Sequence, residues 1–283
     1  MNESLARALD GIAVVALATN IPGPLAAASL RAMGARVVKI EPPHGDALQV
    51  AAAQWYREIV EGMQVERLDL RADADRTRLH ALLNEADVLI TATRAGALQR
   101  AGLAWDALAQ RTPRLCHVAV VGEAAPNDDR SGHDLTYQAR AGLLSPPAMP
   151  RSVFADMAAA QRAVSAALAA LLERARTGRG VRVEVAIVDA AASFAVPLRH
   201  GLTAAGGVLG GALPAYNLYR AADGWVAVAA LEEHFAARLQ RVLELERLDA
   251  ASLRAAFEHR TVAALERLAE THDLPLAACV GGA

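Results

Sequence analysis

The sequence predicts an α/β protein, a doubly wound parallel-sheet domain followed by a smaller α+β domain. Three observations carry this: strand and helix patterns alternate through the first 120 residues, one long alanine-rich helix follows, and a glycine-rich stretch then precedes a hairpin pattern. Gly11 to Leu17 is a short apolar run with β-branched residues, and Asn20-Ile21-Pro22-Gly23-Pro24 is a breaker cluster. Leu25 to Met33 reads as a helix ended by Gly34, and Arg36 to Glu41 as a second strand. Two strands joined through a helix form a βαβ unit, which implies a parallel sheet.

The pattern repeats with a helix from Arg76 to Glu85 and a strand from Ala86 to Thr91, then a helix around Trp105 to Arg111 and a strand from Leu115 to Val121. Repeated units of this kind argue for a doubly wound sheet. Phe154 to Arg176 reads as the long helix, broken by Thr177-Gly178-Arg179-Gly180 before a strand from Val181 to Val188. Gly206 to Gly211 reads as a joint or close-approach loop. Beyond it, Tyr216 to Arg220 and Gly224 to Ala229 form a hairpin turned at Ala222-Asp223-Gly224, with helices at about 235–243, 253–258 and 262–271. The expected domains are residues 1–200 and 201–283.

Composition excludes several classes. Of the 283 residues, 54% are hydrophobic and 21% charged, which is not the signature of disorder. A formal net charge of -2 lacks the basic excess of a nucleic-acid binder. Two distant cysteines, Cys116 and Cys279, support neither a disulfide scaffold nor a zinc module. No run reaches the ~18 apolar residues of a membrane span, and Met1-Asn2-Glu3-Ser4 is not the basic start of a signal peptide, so a soluble, cytoplasmic protein is expected. Aromatics make up only 4%, the apolar content resting on Ala, Leu and Val, and Lys39 is the single lysine among 29 basic residues.

No GxGxxG follows the first strand, which argues against a nicotinamide or flavin cofactor, and no GxSxG, HExxH, P-loop or Asp-rich metal loop occurs. Three acidic or basic sites stand out. Asp156 opens the long helix, where a carboxylate either caps backbone N–H groups or is held as a nucleophile or base. His133 and Asp134 lie at a loop-to-helix junction, where the ordinary reading is a cap beside an exposed ring, and the other is an acid–base pair. Glu232 begins a helix after the hairpin, where a first-turn acid favours the helix dipole.

The context of these residues resembles the class III CoA-transferase family, which includes formyl-CoA and carnitine CoA-transferases and 2-methylacyl-CoA racemases. The resemblance runs from about residue 9 to 279. It rests on Leu9-Asp10-Gly11-Ile12-Ala13-Val14 with Pro22-Gly23-Pro24 and Gly34 to Pro42; on Ala86-Asp87-Val88-Leu89 with Arg94-Ala95-Gly96, Gly102-Leu103 and Pro113-Arg114-Leu115; on Arg176 to Val181 with Asp189-Ala190; and on Tyr219 with Asp223-Gly224. Four blocks in the right order are fairly specific.

The resemblance implies a Rossmann-like fold, an interlocked homodimer, and coenzyme A as the carrier of an acyl-CoA thioester substrate, with no metal. Gly132-His133-Asp134, Asp156 and Ala230-Leu231-Glu232 match the racemase pattern, in which a His and an Asp move the α-proton and a Glu supports the His. The alternative it implies is a CoA-transferase whose Asp156 attacks the thioester and forms an acyl anhydride; a third is a non-catalytic CoA-binding or partner subunit. Lys39, Arg94 and Gly96 fall in segments that resemble CoA-contacting ones, cations there meeting the nucleotide phosphates. Two segments depart from the family pattern: Glu61 to Arg67 replaces a basic run, leaving only Arg67, and Gly122-Glu123-Ala124-Ala125-Pro126 replaces a glycine-rich loop. Relatives are expected to continue beyond Cys279-Val280 with a segment returning to the first domain.

Overall fold

The computed structural model describes residues 5–128 and 130–280, so Met1-Asn2-Glu3-Ser4 lies outside the described residues. Two compact units divide between Ala195 and Val196. The first contains, in order, β1 (Ala13–Leu17), α1 (Pro22–Ala32), β2 (Arg36–Glu41), α2 (Leu48–Ala51), α3 (Ala53–Val60), β3 (Gln64–Arg67), α4 (Asp73–Glu85) and β4 (Val88–Thr91). It continues with α5 (Ala95–Arg100), α6 (Trp105–Arg111), β5 (Cys116–Val121), α7 (Asp134–Ala141), α8 (Phe154–Thr177), β6 (Arg182–Ala186) and α9 (Ile187–Phe194). The six strands pair in parallel in the order β3-β2-β1-β4-β5-β6. This is the doubly wound, Rossmann-like sheet that the alternating pattern predicts.

Alternation along the strands sends side chains to two cores. Val14, Ala16, Val37, Val88, Ile90, Val118 and Val120 face α1 and α8, while Val15, Leu17, Val38, Ile40 and Leu89 face Leu79, Leu83, Leu103 and Leu108. Where α1 and α8 meet the sheet, Ala26 and Ala27 and the α8 row Ala159, Ala163 and Ala167 are fully buried. The 3.6-residue period puts those alanines on one stripe, and their small side chains let the helices approach closely. The low aromatic content is therefore a packing solution for this face.

Helix α1 begins at Pro22, three residues before the expected start. The first turn of a helix has no intrahelical partner for its N–H groups, so Pro22 and Pro24 lose nothing there and start the helix instead of delaying it. Residues 48–60, unassigned by periodicity, form α2 and α3, and the third strand is Gln64–Arg67, just ahead of Leu68-Asp69-Leu70.

The second unit comprises α10 (Val196–Arg199), β7 (Tyr216–Arg220), β8 (Trp225–Ala229), α11 (Glu233–Val242), α12 (Ala250–Glu258), α13 (Val262–His272) and β9 (Leu276–Ala278). Its sheet is antiparallel, β7-β8-β9, over a core that includes Tyr219, Leu239, Leu253, Phe257 and Leu265. Strand β9 is three residues long, too short to show alternation in sequence. The glycine-rich stretch lies inside this unit and not at its border. A Cβ on Gly210 would stand 1.8 Å from the Ala204 carbonyl oxygen, so the stretch is a close-approach loop. Among the described residues, no helix is long and apolar enough to cross a membrane.

Candidate active site

The strand order of the first unit reverses between β1 and β4, and in such sheets the crevice outside the carboxyl ends of the strands is where ligands bind. Two cavities open there, sharing Thr19 and Thr93 in their walls. One, of about 330 Å³, has a mixed lining whose polar side includes Asn20, Arg94, Arg130, His133, Tyr137 and Asp156. The other, of about 470 Å³, is walled by Leu17, Ile40, Pro42, Pro43, Leu68 and Leu70, with His44, Asp69 and Arg71 beside them.

Asp156 is the third residue of α8, and it does not cap that helix. The cap comes from Asp134, whose Oδ1 accepts hydrogen bonds from the N–H groups of Ala155 (2.8 Å) and Asp156 (3.1 Å). Its Oδ2 accepts from Gln138 Nε2 at 2.6 Å, a partner one helical turn away on α7. The Asp156 carboxylate accepts no hydrogen bond among the described residues. Burial in the cavity wall, and then the nearby charge of Asp134, push it up to about 7.

His133 stands at the N-cap position of α7, exposed to the cavity. At the α7 terminus His133 and Thr136 form a capping box, in which the Thr136 Oγ1 accepts the His133 N–H at 3.1 Å. Tyr137, one turn further along, is buried and also lines the cavity, a residue that sequence reasoning missed. The i, i+4 spacing from His133 was the signal that could have found it. Gly132 precedes His133 because a Cβ there would stand 2.5 Å from the Tyr137 hydroxyl.

Arg94 lies just ahead of α5 and its Nη2 donates to Ser131 Oγ at 3.4 Å. Arg130, also missed, reaches the buried Glu123 at 3.5 Å, and Glu123 is held more closely by Arg140. Gly96 lies in α5 and lines neither cavity. Glu232 belongs to the second unit, at the N-cap position of α11, with no side-chain cap bond.

Lys39 requires a correction. It is fully buried on β2, its ammonium donating to Glu41 Oε1 at 2.5 Å and Asp46 Oδ2 at 2.8 Å, and it lies 5.4 Å from the Tyr56 ring centroid. A side chain with no exposed atom and two carboxylate partners does not meet a nucleotide phosphate. It is buried because β2 is an inner strand covered on both faces; Glu41 lies two residues along on the same face of the strand, and Asp46 comes from the turn that follows.

Comparison with known proteins gives the family and the fold. The profile of CoA-transferase family III matches residues 9–280. Human (Homo sapiens) alpha-methylacyl-CoA racemase is 31% identical over 246 residues, covering 81% of this chain and 63% of its own. The (R)-2-hydroxy-4-methylpentanoate CoA-transferase of Clostridioides difficile is 31% identical over 204 residues, 65% of this chain and 51% of its own. The chain thus spans about half to two thirds of the length of these curated relatives. Among solved structures, a CaiB/BaiF family protein from Brucella suis matches with a TM-score of 0.81 at 25% identity, over 95% of this chain and 83% of its own. Rv3272 from Mycobacterium tuberculosis shares the fold with a TM-score of 0.83 at 24% identity, over 98% and 85%. The chain belongs to CoA-transferase family III.

Proposed function

We propose that the chain acts on acyl-CoA thioesters, moving the α-proton of a 2-methylacyl-CoA between His133 and Asp156 and so inverting the α-carbon. The observation that carries this is a carboxylate without hydrogen bonds, pushed up to about 7, in the same cavity as an exposed imidazole. A thioester α-proton is weakly acidic, so its removal and return call for two groups that exchange protons near neutral pH. At about 7, Asp156 is half ionised at neutrality and serves as base or acid with comparable ease.

Asp134 is a positioning residue in this reading. It fixes the first turn of α8 and raises the affinity of Asp156 for its proton. The two adjoining cavities suit the coenzyme arm: the largely apolar cavity beside β1, β2 and Leu68-Asp69-Leu70 offers apolar surface to a nucleobase, and Arg94 supplies a cation in the other. For Gly96 and Glu232 the reading rests on their places in the sequence alone.

Incubating the protein with a (2R)-2-methylacyl-CoA in heavy water is expected to wash deuterium into C2, and His133→Ala is expected to lower the rate by about 10²–10⁴-fold. Wild-type exchange no faster than that of the variant would refute the assignment. A second reading, CoA transfer through attack by Asp156 on the thioester, is favoured by the several CoA-transferases among the similar proteins. It requires an adduct at Asp156 that hydroxylamine traps, an acceptor acid, and transfer undiminished in His133→Ala.

A further inference from the structure

Asn20 is the one non-glycine residue of the first unit, among those described, in the left-handed region, with φ 65°. Asparagine tolerates this region better than most residues, but the conformation still costs free energy, and such strain persists only where the surroundings impose it. Here the imposition is visible. The Asn20 N–H donates to Asp46 Oδ1 at 3.0 Å, and Asp46 is itself buried and bound to the Leu48 N–H and to Lys39. The single lysine of the protein thus sits under the β1–α1 turn as part of a rigid floor.

The carboxamide above that floor has no hydrogen-bond partner among the described residues, and it lines the same cavity as His133 and Asp156. Thr19 and Thr93 line the cavity too, but neither is held in a strained conformation, and Ser131 Oγ already accepts from Arg94. A strained backbone locked from beneath, presenting an exposed amide with no protein partner at the cavity wall, is an arrangement suited to a preorganised donor.

We infer that Asn20 is a further catalytic residue, its carboxamide N–H donating to the thioester oxygen while the α-proton is away from carbon. The inference rests on the reading of His133 and Asp156 as the proton-transfer pair. When the Cα–H bond breaks, the proton passes to one of these two groups and the electron pair moves through the carbonyl carbon to the oxygen. When the other group returns a proton to the opposite face, the pair moves back and the C–H bond is restored. Asn20 neither gains nor loses a proton. Its bond to the oxygen is strongest when that oxygen bears most charge, so it acts on kcat more than on KM.

The experiment compares Asn20→Ala with Asn20→Gly in the deuterium-exchange assay, with thermal unfolding measured on both. Glycine adopts φ 65° without strain, so the Asn20→Gly protein is expected to melt at or above the wild-type temperature. If the amide is the working group, both variants lose exchange by about 10²–10³-fold in kcat with KM nearly unchanged. If Asn20 serves only to turn the chain, Asn20→Gly exchanges at the wild-type rate, and the inference is overturned while the proton-transfer reading stands. A wild-type protein that exchanges no deuterium overturns the proton-transfer reading and, with it, the role given to Asn20.

Discussion

Three aspartates near the switch point of the sheet make an instructive contrast. Asp46 and Asp134 are almost fully buried, and each satisfies both carboxylate oxygens: Asp46 with two backbone N–H groups and the Lys39 ammonium, Asp134 with two backbone N–H groups and the Gln138 amide. Asp156 is less buried than either and receives no such bond, and it is driven up to about 7. Greater burial does not set Asp156 apart; it differs in that no donor meets its ionised form.

The contrast is broken most severely at Lys39. Lys39→Met leaves Glu41 and Asp46 buried without their common cation, and loss of one partner of a buried pair costs about 3–5 kcal/mol. Thermal unfolding is expected to show a melting point lower by roughly 10 °C, at 2–4 °C per kcal/mol for a chain of this size. A change of a degree or less would mean that the cluster is not structural.

Asp134→Ala comes next, with a loss of about 2 kcal/mol from the uncapped α8 terminus and the Gln138 amide left with the Ser152 carbonyl alone. The same variant removes a negative charge that helps to raise Asp156, so the pH profile of exchange is expected to shift to lower pH. A merely structural role would lower the rate without moving the profile.

The smallest effect separates Asp156 from the other two by sign. In the unfolded chain this carboxyl titrates near 3.8, in the folded one near 7. Between these values the folded protein holds a proton that the unfolded chain has released, so its stability falls as pH rises from about 4 to about 7. Asparagine has no proton to release. Asp156→Asn is therefore expected to be about 1–2 kcal/mol more stable than wild type at pH 8, the part of such a shift that survives partial solvation, and equal to it near pH 3. Denaturant unfolding at the two pH values measures the difference; a variant destabilised at pH 8 would place Asp156 with the structural pair.

The residues of the site were legible to different depths. His133, Asp134 and Asp156 could be picked out because a histidine and two acids stood at helix starts in a matching family context, and the structure brings them to one wall of the crevice or directly beneath it. Tyr137 and Arg130 were missed because nothing local marks them; a tyrosine inside a short helix and an arginine in a polar loop are ordinary until the loop folds over the end of β5. Asn20 was read only as part of a breaker cluster, since its strain depends on Asp46, twenty-six residues away.

The sequence by itself determined the main alternation of strands and helices, the parallel sheet and the family of the chain, because periodicity and short motifs act over a few residues and survive without the rest of the molecule. Only the tertiary structure decided what each charged group does. Lys39 became an internal counter-ion and Asp134 the cap of a helix that begins twenty residues further along, while Asp156 was left without a donor. The reason is that the state of a charge is set by everything within a few ångströms of it, and sequence spacing does not say which side chains and backbone groups converge there.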